Sequence, residues 1–400
     1  EGDGISAIPS PSVTALSQLL LDHLRARQDE MTVLLRDLAL LESPSHEPAA
    51  QEPVFARLAA ELAESGMRAR RLQGKRTGGQ LWAVPRERRR GTPAQLLIGH
   101  CDTVWPVGTV ERMPVEVRDG RLSGPGVYDM KAGLVQGIFA LRALHALRLA
   151  PAAEPAFFIN SDEEIGSVES LPRIERLARA VRRVFVLEPS LGPAGDLKTR
   201  RKGSLRFTIR AFGRAAHSGL DPEKGASAIR ELARIIQWLY TLADPARGIT
   251  VNVGVIAGGL RANVVAPEAR AELDVRVLAA EDAELLERQV LGLTAETPGT
   301  RVEVLGGIDR PPLEPTPGNR ILTAAALRRA GELGIALGEG TAGGASDGSL
   351  TSRFTPTLDG LGAVGDGAHA VHEHVVLDRL PERAALLALL LLEPLSPPVG

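Results

Sequence analysis

The sequence predicts an α/β protein: a mixed, mostly parallel sheet flanked by helices, with a ferredoxin-like β-α-β-β-α-β domain inserted in it. Three observations predict this. Short apolar runs alternate with segments of helical period through the first half of the chain. From about residue 200 the order becomes strand, helix, strand, strand, helix, strand. The breaker-rich stretch "DRPPLEPTPG" (309–318) closes that unit, and helix and strand signals then resume. The expected division is a discontinuous catalytic domain, 1–199 with 314–400, and an inserted domain, 200–313. A chain of 400 residues is long for one core, which agrees with two domains.

The elements follow in order. "VTALSQLLLDHLRARQDEMTVLLRDLALLES" (13–43) places apolar residues at helical spacing. "EPVFARLAAELAESG" (52–66) is a helix stopped by glycine. The basic "RERRRG" (86–91) reads as a solvated loop. "AQLLIGH" (94–100), "AFFINSDEE" (156–164) and "RVFVLEP" (183–189) are buried strands that end in polar groups. "AGLVQGIFALRALHALRL" (132–149), with small residues at its start, is the helix between the first two. In the inserted domain "SLRFTIRAFGR", "GITVNVGVIAGG", "EARAELDVRVL" and "TRVEVLGGI" read as strands. "GASAIRELARIIQWLYTLAD" and "EDAELLERQVLGLT" read as its helices. The C-terminal run "RAALLALLLLEPL" (383–395) is a packed helix, too short to span a bilayer.

Composition excludes several classes. Acidic and basic residues nearly cancel, for a formal charge of -2, which argues against a nucleic-acid-binding surface. No apolar run is long enough for a membrane span. Cys101 is the only cysteine, so an internal disulfide and a thiolate zinc site are both excluded. "EGDGISAIPSPS" (1–12) lacks the basic and apolar regions of a signal peptide. A cytoplasmic setting is expected, or a periplasmic one if an export signal has been removed.

The chemistry is concentrated at strand ends, where a sheet of this type binds ligands. There "GHCD" supplies His100 and Asp102, and "GPGVYDMKAG" supplies Asp129 ahead of a helix. "SDEEIGS" supplies Glu163 and Glu164, "LEPS" supplies Glu188, and "GDGAH" supplies His369. Carboxylates at the mouth of a core need a positive partner. Two imidazoles with several carboxylates and no thiolate suit a divalent metal, zinc first. The donors outnumber what one catalytic ion needs, so two ions are expected, with Asp129 bridging. His100 and Glu188 would complete one site, and Glu164 and His369 the other. Glu163 would face the shared water as general base. Asp102 would hold the second ring nitrogen of His100. Taken singly these residues have ordinary readings, such as a solvated loop for the paired glutamates or a helix cap for Asp129. Cys101 alternates onto the opposite strand face and reads as core.

With those residues in hand, the chain resembles the di-zinc metallopeptidase and deacylase family of bacterial glutamate carboxypeptidase, acetylornithine deacetylase, succinyl-diaminopimelate desuccinylase and aminoacylase. "GHCDTVWP", "GPGVYDMKAG", "SDEEIGS", "LEPS", "GRAAHSG" and "GAHAVHEHV" occur in that family's order, and the likeness spans nearly the whole chain. The resemblance implies the same ligand set, with two zinc ions (cobalt as an alternative), and the same roles for Glu163 and Asp102. It implies that the inserted domain is a lid and dimerisation domain, hence a homodimer. It adds His217 as the lid histidine that steadies the oxyanion, and Asn263 and Arg276 as ligands of the substrate carbonyl and carboxylate. Arg310 is a further candidate for substrate contact. A cis peptide between Asp129 and Met130 is also implied.

Two departures from the family bear on the histidine ligand. His372 stands where relatives carry an acidic residue or proline, and Asp366 replaces a frequent glycine. His369 is assigned because it follows "GDGA", with His372 as the alternative. The implied reaction is hydrolysis of an amide beside a free carboxylate in a small peptide or N-acyl amino acid. Glutamate-carboxypeptidase-like release of a C-terminal amino acid comes first, because Glu188 occupies a position that is Asp in many aminopeptidase types. N-acyl-amino-acid deacylation is the alternative. A non-catalytic ligand-binding relative and a nucleotide-binding module are remoter readings. No glycine-rich stretch matches a phosphate-cradling fingerprint.

Overall fold

In the computed structural model, residues 13–395 are described. The segment 1–12, on which the signal-peptide reading rests, lies outside the described residues. The chain divides into two compact units. The first comprises Glu1–Thr199, Pro315–Gly340 and Thr351–Gly400; the second comprises Arg200–Glu314 and Thr341–Leu350. Residues 341–350, grouped with the catalytic domain on sequence grounds, therefore cluster with the second unit.

The first unit is built on a six-stranded mixed sheet. Its strands are β1 (Met67–Leu72), β2 (Gln80–Pro85), β3 (Ala94–His100), β4 (Glu154–Asn160), β5 (Val184–Val186) and the short Thr357–Leu358. The spatial order is β1-β2-β4-β3-β5 and then 357–358. β3 runs parallel to both β4 and β5, whereas β2 is antiparallel to both of its neighbours, β4 and the edge strand β1. Every residue of β4 is buried, as expected of a strand covered on both faces. Register aligns His100 with Asn160 and Ile98 with Val186. The chain therefore leaves three adjacent parallel strands at one edge, directly before Glu163, Glu164 and Glu188.

The helix Ala132–Ala146 lies against this edge because Gly133, in its first turn, has no side chain. A Cβ added at Gly133 would sit 2.0 Å from the carbonyl oxygen of Leu187, the residue before Glu188. The C-terminal run forms the helix Arg379–Leu392, in which eight consecutive residues, Ala384–Leu391, are buried. Arg383 on that helix is 1% exposed. Its guanidinium donates to the carbonyls of Gly195 (2.7 Å), Gly362 (3.1 Å) and Gly360. Burial lowers its pKa to about 10, with Arg379 adding to the effect. Arg383→Met would strand three carbonyls, at a cost of about 3 kcal/mol. Thermal denaturation should show a melting temperature lower by roughly 4 °C; an unchanged value would contradict this role.

A small antiparallel sheet joins Gly365–Asp366, His374–Val376, Arg121–Ser123 and Glu116–Arg118. Its pairing of His374 with Ser123 sets the loop bearing His369 beside the loop bearing Asp129. The peptide bond between Asp129 and Met130 is cis.

The second unit holds a four-stranded antiparallel sheet of β6 (Gly203–Phe212), β7 (Thr250–Gly258), β8 (Glu268–Val277) and β9 (Arg301–Arg310), in the order β7-β8-β6-β9. The helices Ala228–Tyr240 and Ala280–Leu291 complete the order β-α-β-β-α-β. Alternation in β8 buries Ala269, Ala271, Leu273, Val275 and Val277 in a core with Leu232, Ile235, Leu286 and Val290 of the helices. Among the described residues no helix is long and apolar enough to cross a membrane.

Candidate metal centre

The stretch "NSDEE" (160–164) resolves into separate jobs. Asp162 is buried and turns inward, where its carboxylate accepts the backbone N–H groups of Glu169 (2.7 Å) and Ser170 (3.0 Å). Glu163 and Glu164 follow in a single 3₁₀ turn. Their backbone N–H groups donate to the two oxygens of Asp102, at 3.3 and 3.2 Å. Ser45 Oγ donates to the same carboxylate at 2.7 Å. His100 Nδ1 lies 3.0 Å from the Asp102 carbonyl oxygen and 3.4 Å from its Oδ1. Asp102, fully buried, thus links the imidazole of His100 to the glutamate pair.

The other ring nitrogen faces the carboxylates. His100 Nε2 is 3.4 Å from Asp129 Oδ1 and 3.4 Å from Glu188 Oε1. His369 Nε2 is 3.4 Å from Asp129 Oδ2 and 3.1 Å from Glu164 Oε2. Asp129 therefore turns one oxygen to each imidazole. His369 holds a positive φ of 60°, a conformation rare for a residue with a side chain. Glu163, half-buried, has a carboxylate oxygen within 4.8 Å of donors from His100 and Glu188. His100, Asp129 and Glu164 form a second such group.

Three buried polar atoms in this cluster make no hydrogen bond: His100 Nε2, Asp129 Oδ1 and Glu164 Oε1. Buried polar groups normally find partners. Unsatisfied lone pairs on imidazole and carboxylate, turned toward one another, fit a pair of divalent cations. The donor set is nitrogen and oxygen with no sulfur, and the one thiol, Cys101, is buried in the core with its pKa pushed up by burial.

The proton balance follows from the same geometry. Burial alone would lower the pKa of His100, but Asp102, Asp129 and Glu188 outweigh it and raise the value well above the ordinary one. Asp129 and Glu164 raise His369 to about 10. Burial raises Glu164 to about 7, against the pull of His369. Asp129 is desolvated, yet the two imidazoles hold it below the usual carboxylate range. In the metal-free protein the facing carboxylates therefore favour the protonated imidazoles, and cations compete with those protons. Calorimetry in buffers of differing ionisation enthalpy should record net proton release when zinc is added. Affinity should then fall as pH drops below about 10, the value of His369, and more steeply below about 7, that of Glu164; a pH-independent affinity would contradict the cluster.

His217, Asn263 and Arg276 all lie in the second unit. His217 and Asn263 are both exposed, and the Ser218 N–H, next to His217, donates to the Asn263 carbonyl at 3.1 Å. His217 Nδ1 accepts the backbone N–H groups of Gly219 (3.1 Å) and Leu220 (3.2 Å), which leaves Nε2 as the N–H donor. Arg276 is half-buried on β8 and engages Asp274 through Nε (2.7 Å) and Nη2 (2.9 Å). Arg310 is buried, with Nη1 3.3 Å from Asp347 Oδ1.

The profile of peptidase family M20/M25/M40 matches residues 96–393. The chain belongs to that family. It is accordingly a metal-dependent hydrolase, and the family resemblance noted from the motifs holds. Among curated M20-type relatives, carboxypeptidase G2 of Pseudomonas sp. (strain RS-16) is 26% identical over 76% of this chain and 74% of its own. The succinyl-diaminopimelate desuccinylase of Paracidovorax citrulli is 31% identical over 74% of this chain and 80% of its own. A solved dinuclear metal-binding peptidase of family M20 from Bacillus subtilis shares the fold, with a TM-score of 0.68 at 15% identity, over 93% of this chain and 98% of that one.

Sequence reasoning missed four residues that hold the M20 site together. Ser45 orients Asp102. Lys131, buried beside Cys101 and Asp102, donates to the Leu41 carbonyl (2.9 Å), and burial lowers its pKa to about 8. Glu373 grips the Asp129 loop, and Trp105 donates its indole N–H to Glu373. The motif "GPGVYDMKAG" contains Lys131 and was the signal that could have found it, but nothing local marks Glu373, whose partners are more than 240 residues away.

Proposed function

We propose that the chain is a two-zinc exopeptidase that releases a C-terminal amino acid from a small peptide or a folate-like acyl-glutamate, as the name of its relative carboxypeptidase G2 suggests. The observation that carries this is the placement of Asp129 between two imidazoles, with Glu163 alongside. His100 and Glu188 would hold one ion and Glu164 and His369 the other, with Asp129 shared. Such a pair, when bound, supplies Lewis-acid activation of water and of the scissile carbonyl. Glu163 takes a proton from the attacking water and returns it to the leaving amine. Asp102 keeps the His100 ring oriented with Nε2 toward the carboxylates.

The second unit is assigned to the substrate. His217 donates its Nε2–H to the developing oxyanion. Asn263 contacts the same carbonyl, and the Arg276 fork, now paired with Asp274, takes the substrate carboxylate. A homodimer formed through this unit belongs to the same proposal. The strand β7 supports it, because most of its residues are exposed along one edge of the sheet. Sedimentation velocity reads that assembly directly.

A second reading, deacylation of an N-acyl amino acid, is favoured by the 31% identity to the desuccinylase. One hydrolysis screen with zinc or cobalt separates the two. It compares acyl-glutamates, dipeptides, and N-acetyl and N-succinyl amino acids. Fastest turnover on acyl-glutamates or dipeptides with a free C-terminal carboxylate supports the exopeptidase. Preference for the N-succinyl or N-acetyl series moves the assignment to deacylase. Activity that ignores the carboxylate sinks both.

A further inference from the structure

We propose that Glu373 is a positioning residue that holds the backbone of the Asp129 loop so that both Asp129 oxygens stay turned to the two imidazoles. This rests on the two-metal reading given above. Glu373 is 0% exposed. Its Oε1 accepts the backbone N–H groups of Tyr128 (2.9 Å) and Asp129 (3.0 Å). Its Oε2 accepts the Gly126 N–H (2.9 Å) and the Trp105 indole N–H (3.0 Å). Three main-chain donors of one loop therefore converge on a carboxylate delivered from 244 residues away. Successive N–H groups of this kind form a concave anion seat.

The loop has no regular structure of its own that would satisfy those donors: Asp129 and Met130 have non-helical backbone angles. Glu373 also sits in the same hairpin as His369, and its carbonyl accepts the Gly124 N–H at 3.3 Å. One residue thus couples the His369 hairpin to the Asp129 loop. Groups that orient a metal ligand affect metal affinity by roughly 10–100-fold when removed.

Glu373→Gln keeps the length but turns an amide N–H₂ toward donors that need an acceptor. The test uses purified full-length protein loaded with cobalt, read by visible absorption and chelator competition, with melting of the metal-free protein measured alongside. The expected result is two cobalt equivalents in the parent protein. In E373Q the expected result is affinity lower by at least about 10-fold and an altered visible band. A role in folding alone would lower the melting temperature and leave the band unchanged. E373Q with parental affinity and band overturns the proposal while the two-metal reading stands. A parent protein that takes up no metal removes both. If E373Q does not fold, Glu373→Asp keeps the charge but withdraws it by one methylene. An altered band in E373D supports the proposal, and a parental band overturns it.

Discussion

Glu163→Gln lowers kcat by about 10⁴-fold while both metal ions remain bound. The magnitude follows from the work assigned to this carboxylate. General acid–base catalysis contributes roughly 10²–10⁴-fold, and the same group serves both proton transfers, so the upper end applies. Metal retention follows from the geometry. Glu163 is anchored through its backbone N–H to Asp102, a bond that glutamine keeps. Asp129, Glu164, Glu188 and both imidazoles are untouched by the change. Steady-state kinetics paired with elemental analysis of the same sample checks this. Near-normal kcat would remove Glu163 as the base. Loss of metal would instead make it a ligand, a role compatible with its approach to His100 and Glu188.

Asp129→Asn should lower the affinity for both ions together. A carboxylate can turn an oxygen to each side, whereas an amide has one acceptor oxygen and one donor nitrogen. Whichever way the amide is oriented, one imidazole then faces an N–H₂ group. Losing even a supporting partner of one ligand costs roughly 10–100-fold in metal affinity. A ligand shared by both ions compounds that cost, so a loss of about 10³-fold in metal affinity is expected. Bound zinc should fall from two equivalents to one or fewer, and kcat/KM should fall with it. Two equivalents held at parental affinity would show that Asp129 does not bridge. The substitution also removes one of the anions that raise His100 and His369. In the metal-free protein both should titrate at lower pH, which histidine NMR can follow.

Much of the site was legible because its residues terminate apolar runs. "AQLLIGH" is a strand by composition and ends at His100, which is the last residue of β3. "AFFINSDEE" and "RVFVLEP" likewise place Glu163, Glu164 and Glu188 just past strand ends, and parallel register puts those ends side by side. What stayed hidden depends on orientation. Three consecutive carboxylates look alike in a sequence, yet Asp162 turns back to cap its own loop while its neighbours face the cluster. Glu373 lies between two histidines in "HEH", where nothing local marks it, yet it is fully buried against a loop that precedes it by 244 residues.

The order of the second unit was likewise readable from alternation and helical period, both local properties of the chain. Its inclusion of residues 341–350 was not, because that depends on packing between segments distant in sequence. The amino-acid order by itself determined which elements form, which strand ends carry metal-binding groups, and that those groups lack a thiolate. Only the tertiary structure decided which oxygen faces which imidazole and which distant carboxylate holds the Asp129 loop. The physical reason is range: periodicity acts over a few residues, whereas hydrogen-bond geometry is settled to a few tenths of an ångström only when sheet register brings distant segments together.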